Sequence, residues 1–82
     1  KIDLIDNELI SLLAKRMRLS REIGVYKKEH NMPVLQAKRY DEILQKRGEQ
    51  AVELGINPEF VKAVLRIIHE ESVQVQMKDI NG

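Results

Sequence analysis

Four side chains in this 82-residue sequence are suited to holding an anion: Arg16 and Lys27 in the first third, Ser72 and Gln76 near the end. Arg presents a forked guanidinium that grips a carboxylate or phosphate through two parallel hydrogen bonds, and Lys presents a compact charge. Ser and Gln add neutral donors. Spacing sorts the four into two pairs. On a helix, the step from Arg16 to Lys27 is three turns plus about 20°, so the two cations share a face about 16 Å apart. Ser20 follows Arg16 by one turn on nearly the same face. Ser72 and Gln76 are also one turn apart, and they extend the line of Val61, Leu65 and Ile68 toward what should be core. No acidic residue is as well placed to pair with the cations. Glu71 is rotated by about 100° from Ser72, and Glu8, Glu22 and Asp41 fall mainly on charged faces. A cation facing a core without a partner is costly, and an anionic ligand would supply that partner. The set describes a pocket between helices for a small, polar, multiply anionic molecule. The competing reading has both cations snorkelling to water along a helix edge. It accounts for one cation more easily than for two in line with Ser72 and Gln76.

Three helices must position these groups. The first carries a coiled-coil-like apolar seam, Ile2, Ile5, Leu9, Leu12, then Arg16, Leu19, Ile23 and Tyr26, in alternating steps of three and four. Arg16 is the one violation of that seam. The pattern predicts a helix from Lys1 to about Glu29, roughly 45 Å long, stopped by Asn31-Met32-Pro33 because the residue before Pro avoids the α region. A second pattern begins soon after Val34, with Tyr40, Ile43, Leu44, Arg47, Ala51 and Leu54 on one face. Gly48 interrupts it at a cost of about 1 kcal/mol relative to Ala, and Gly55 suits the left-handed position that ends a helix. The third start is the clearest: Asn57 caps, Pro58 fits the first helical position, and Glu59 favours the positive end of the dipole. That helix fades after Met77, with Asp79 to Gly82 read as a frayed end. The fold class is therefore all-α: long helix, loop, medium helix, short turn, medium helix, in one domain covering residues 1–82. A compact chain of this length is about 30 Å across. Its first helix is half as long again, so either part of the seam is covered by a partner, by default a second copy, or one end of the long helix is frayed or exposed.

Composition removes several other classes. There is no Cys, hence no disulfide and no thiolate metal site. His30 and His69 have no metal-binding spacing, so no metal site is expected. Fourteen basic against thirteen acidic residues leave +1, which argues against nucleic acid and anionic membrane as partners. No run of about 18 apolar residues spans a bilayer. No Gly-rich phosphate loop and no Ser–His–acid set is present. A cytoplasmic location fits these features. The chain begins at Lys1 with a helical pattern already running and no capping residue before it, as expected either of a segment cut from a longer chain or of one whose first residues are disordered.

In order and spacing, "KIDLIDNELISLLAKR" with Arg16, "IGVYKKE" with Lys27, "PVLQAKRYDEIL" with Arg39 and "IIHEESVQVQ" with Ser72 and Gln76 resemble the all-helical chorismate mutases from Lys1 to about Gln76. The resemblance implies an intertwined helical homodimer and the Claisen rearrangement of chorismate, a small dicarboxylate, to prephenate. It implies hydrogen bonds from Lys27 and Gln76 to the breaking ether oxygen, a carboxylate held by Arg16 with help from Ser72, and Arg39 contributing to binding and orientation. The implied reaction is pericyclic and needs no nucleophile or base, so the resemblance implies no metal and no cofactor. The family often has acidic residues where Gln36 and Tyr40 stand, near the substrate hydroxyl, which Gln36 can still hydrogen-bond. It also supplies an Arg from the partner's first helix, just before the position of Lys1. Two alternatives share the resemblance: an isochorismate-pyruvate lyase of the same fold, and a regulatory or dimerising module. Mutases of this family are often fused to prephenate dehydratase, to prephenate dehydrogenase or to the synthase that opens the shikimate pathway.

Overall fold

The computed structural model describes the backbone of residues 1–81 and the side chains of residues 1–78. Three helices, α1 (Ile2–Glu29), α2 (Ala37–Glu53) and α3 (Pro58–Asn81), account for the regular structure, and no strand occurs among the described residues. None of these helices is long and apolar enough to cross a membrane.

Local chemistry sets their ends. α1 closes when Asn31 takes a left-handed conformation, φ 54°. The Met32 N–H then donates to the Lys27 carbonyl at 2.8 Å and the Asn31 N–H to the Lys28 carbonyl at 3.3 Å, the paired bonds of a Schellman stop. Pro33 follows the stop rather than making it. His30 adds a bond from Nδ1 to the Tyr26 carbonyl at 2.8 Å, and its ring stacks on Tyr26. α2 ends the same way at Gly55, φ 74°, with the Ile56 N–H on the Ala51 carbonyl at 2.8 Å. The α3 start is as expected: the Asn57 side-chain oxygen accepts from the Glu59 N–H at 3.0 Å, and Pro58 is the first helical residue. The expected fade after Met77 does not occur in the backbone, which is helical to Asn81. No Pro or Gly interrupts that stretch, and Lys78 complements the negative end of the dipole. The rest of the expected frayed end, Gly82 and the side chains from Asp79 on, lies outside the described residues.

The chain divides into two compact units, one made of Lys1–Val34 with α3 from Ser72 onward, the other of Leu35–Glu71. In the second, Ala51 is buried, and the Tyr40 and His69 rings stack with centroids 3.9 Å apart. The aliphatic stem of Lys62 lies over Gly48, with Cε 2.6 Å from where a β-carbon would stand.

The first unit departs from the expected seam. The buried residues of α1 are Ser20 and Gly24, and Leu13, Met17 and Lys27 are half-buried. These five also alternate in steps of four and three, on a line rotated by about 80° from Ile2–Tyr26. The large apolar residues of the expected seam are exposed, from Ile2 at 73% to Ile23 at 48%. All of residues 1–12 are exposed. Close helix approach selects small side chains, so the packed face is not the most hydrophobic one.

Candidate active site

Where the end of α3 meets α1, two contacts set the geometry. The Ser20 and Ser72 hydroxyls are hydrogen-bonded to each other across 52 positions of sequence. Four residues further along each helix, Gly24 lies against Gln76. The separation in sequence is the same in both contacts, so the two segments run parallel and in register. Gly24 makes the approach possible: a β-carbon there would sit 3.0 Å from Gln76 Cα and 3.1 Å from its Cβ and Cγ.

The four side chains singled out by type and spacing all fall in this unit. Ser72 is 6% exposed and Gln76 7%, in accord with their alignment with the apolar line of α3. Gln76 Oε1 is buried without a hydrogen-bond partner. An unsatisfied buried polar atom costs about 1–3 kcal/mol, and a half-turn of the amide puts its NH2 donor in the same place. Lys27, one turn beyond Gly24, is half-buried and donates from Nζ to the Val34 carbonyl at 2.8 Å, which ties the post-α1 loop back to the helix. Arg16 corrects the expectation of a core position. It is exposed, because the seam it interrupts is exposed. It remains one turn before Ser20 on the same helix, a long donor at the edge of the packed line rather than inside it.

Gln36 and Arg39 belong to the other unit. Gln36 is the N-terminal cap position of α2, half-buried and making no side-chain cap bond. Arg39 is exposed in the first turn of α2, and Tyr40 stacks on His69. Two residues of the helix pair were not among the expected site residues: Ser20, noted only for its position near Arg16, and Gly24. Their signal was a small pair at i, i+4 facing a polar pair at i, i+4.

The two buried glycines should answer the same substitution with opposite signs. Gly24→Ala meets the backbone of α3, which yields only if the helix shifts. Overpacking of about 1–3 kcal/mol outweighs a helix-propensity gain of about 1 kcal/mol. Gly48→Ala meets only the far end of the Lys62 side chain, which can swing away, and should gain up to about 1 kcal/mol. Thermal unfolding of both variants checks the ordering, and a stabilised Gly24→Ala would contradict the close approach.

The family model described as chorismate mutase type II matches residues 1–77. The chain therefore belongs to the chorismate mutase type II family. Among curated proteins it is similar to the T-protein of Enterobacter agglomerans, 36% identical over 88% of the chain, and to the T-protein of Haemophilus influenzae, 38% identical over 100% of the chain. A bifunctional chorismate mutase/prephenate dehydratase of Buchnera aphidicola subsp. Schizaphis graminum is 31% identical over 99% of the chain. The alignments cover 19%, 23% and 21% of these relatives, so the chain spans about a fifth of their length.

Proposed function

We propose that the chain is a chorismate mutase, an enzyme that converts chorismate to prephenate. The observation that carries this reading is the helix pair itself. Where α1 and α3 press together, core positions hold Ser72 and a Gln76 amide with an unsatisfied buried oxygen, and Lys27 stands one turn away. Family membership and the names of the relatives support the same activity.

The rearrangement forms a C–C bond as the ether C–O bond breaks, with no atom gained or lost. No proton need move to a base. The protein must hold the folded conformer and stabilise charge as it grows on the ether oxygen. Lys27 and Gln76 are assigned as donors to that oxygen. Arg16 and Ser72 are assigned to a substrate carboxylate. Arg39 and Gln36 are assigned to substrate binding on the family resemblance. The site needs no metal or cofactor in this reading.

The finer architecture is a homodimer in which a second copy covers the exposed first turns of α1. Ile2, Ile5, Leu9 and Leu12 are all more than half exposed and fall on one line, an apolar stripe of the kind that marks an interface. A charge placed on that stripe, as in Leu9→Glu, should shift the sedimenting species from two chains to one. Unchanged sedimentation would exclude this face as the interface. Residues 1–82 form the mutase domain of a longer cytoplasmic protein in this reading, joined to a second enzyme of aromatic biosynthesis. The Buchnera relative's name and the fraction of the relatives covered support that arrangement.

The test is the loss of chorismate with the purified protein, run beside isochorismate. Prephenate from the first with no pyruvate from the second is expected. Pyruvate release from isochorismate alone would replace the mutase with the lyase, and inertness toward both would leave only a structural module.

A further inference from the structure

We infer that Ser20 is a positioning residue for substrate binding: its hydroxyl donates to Ser72, which leaves the Ser72 proton to meet a substrate carboxylate. The inference rests on the mutase reading and adds to it a residue outside the expected set.

Ser20 is 3% exposed, the same as Ala51 in the other unit. Its Oγ is hydrogen-bonded to that of Ser72. A hydroxyl has one proton and two acceptor lone pairs, and only one proton can lie between two oxygens. The pair therefore has two polarities. In one, Ser72 donates to Ser20, and Ser72 can offer a ligand only lone pairs. Ser20 then turns its own proton toward the preceding turn of α1, as helical serines do. In the other, Ser20 donates to Ser72, and the Ser72 proton points away from the pair. A carboxylate accepts and cannot donate, so it binds only the second polarity. The chain Ser20 to Ser72 to carboxylate is then a relay of aligned dipoles, in which the first bond strengthens the second.

The geometry makes this more than a hydroxyl filling space. Parallel register brings Ser20 opposite Ser72 in the same way that it brings Gly24 opposite Gln76. The two α3 residues that face substrate in the mutase reading are thus each set by one small residue of α1. Gly24 sets how close Gln76 comes, and Ser20 sets which way the Ser72 proton points. Arg16, the cation assigned to the same carboxylate, precedes Ser20 by one turn.

A carboxylate remote from the breaking bond keeps its charge from ground state to transition state. Losing a donor to it removes uniform binding, which raises KM and leaves kcat nearly unchanged. A packing role would instead lower stability and leave KM alone. The experiment is a double-mutant cycle on the purified protein: Ser20→Ala, Ser72→Ala, both together, and Ser20→Thr, which restores the hydroxyl. Ser20→Ala should raise KM for chorismate about tenfold with kcat within about twofold. Ser72→Ala should raise it at least as much. Adding Ser20→Ala to Ser72→Ala should change KM less than twofold, because Ser20 acts only through Ser72. Ser20→Thr should return KM to within about threefold of wild type.

An unchanged KM in Ser20→Ala, or Ser20 and Ser72 effects that multiply in the double variant, would overturn the positioning role while leaving the mutase reading intact. A wild-type protein that does not turn over chorismate would overturn the mutase reading, and the Ser20 role falls with it. Should Ser20→Thr prove too bulky to fold, the comparison of Ser20→Ala in the two Ser72 backgrounds decides the question alone.

Discussion

Replacing Lys27 by Ala should lower kcat for chorismate by about a thousandfold while leaving the helices intact. Removing one neutral donor aimed at a developing oxyanion costs about 100–1,000-fold in kcat, or roughly 3–4 kcal/mol. An ammonium is a stronger donor than a neutral group, which puts Lys27 at the upper end. The structural cost is separate and small. Lys27 is half-buried, and its hydrogen bond to the Val34 carbonyl is worth about 1 kcal/mol or somewhat more for a charged donor. For a domain of this size that loss shifts Tm by about 4–8 °C. Circular dichroism should therefore report full helicity at assay temperature while turnover collapses. Lys27→Met, which keeps the apolar stem, separates packing from charge and should be nearly as slow as Ala. Lys27→Arg keeps the charge but presents a planar fork in place of a point donor, and should recover only part of the rate. Turnover near the wild-type value in Lys27→Ala would remove this residue from the reaction.

The groups that matter were legible in the sequence to different depths, and the differences have physical causes. The end of α2 and the start of α3 were readable because capping is local. Gly55 adopts the left-handed conformation its position requires, and Asn57 bonds the Glu59 N–H within two residues. The stop of α1 was read at the right place for an incomplete reason. Pro33 marks the boundary, but the carbonyl of Lys27 is satisfied by Met32 around a left-handed Asn31, a role Asn takes less often than Gly. The face of α1 that packs within the single chain was missed because periodicity weights residues by hydrophobicity. It found Ile2 to Tyr26, which the single chain leaves exposed, and passed over the neighbouring line through Ser20 and Gly24, where α3 packs. Helices approach most closely over small residues, and small residues contribute little to a hydrophobic pattern.

The same displacement explains Arg16. Its exception to the seam was read as a buried cation, yet the seam is open and Arg16 with it. Ser72 and Gln76 were correctly read as facing the core because on α3 the polar residues replace apolar ones on the buried line itself. The Lys27–Val34 bond was beyond any periodicity, since it depends on how the loop after α1 folds back. Polar residues on a buried line are thus a stronger sequence signal than a charged residue on an apolar stripe, because a stripe can also face a second chain.

Replacing Gln76 by Glu should convert a rate that is nearly independent of pH into one that falls as pH rises. The amide of Gln76 does not titrate, so its donor is present at every pH, and wild-type kcat should show no step between pH 6 and 8 from this residue. A carboxylic acid donates only while protonated. Above the pKa of the introduced group, the competent fraction falls tenfold per pH unit, and an ionised carboxylate facing the ether oxygen repels the charge that grows there. The sign is therefore fixed: activity recovers toward acid and is lost toward alkali. The midpoint depends on two opposed effects. Burial at a position 7% exposed pushes a carboxyl up from its ordinary value of about 4.3, and the charge of Lys27, one turn along α1 from the Gly24 that packs on this position, acts to pull it down. At pH 8 the variant should be slower than wild type by at least 100-fold, and at pH 5 by less than 10-fold. Gln76→Ala, which lacks any donor, should be slow at both. Proton uptake on folding supplies a second reading, since a variant whose buried carboxyl is raised loses stability as pH rises through that value. If Gln76→Glu keeps a flat profile at wild-type rates, no donor at this position takes part in the reaction, and the unsatisfied amide has another use.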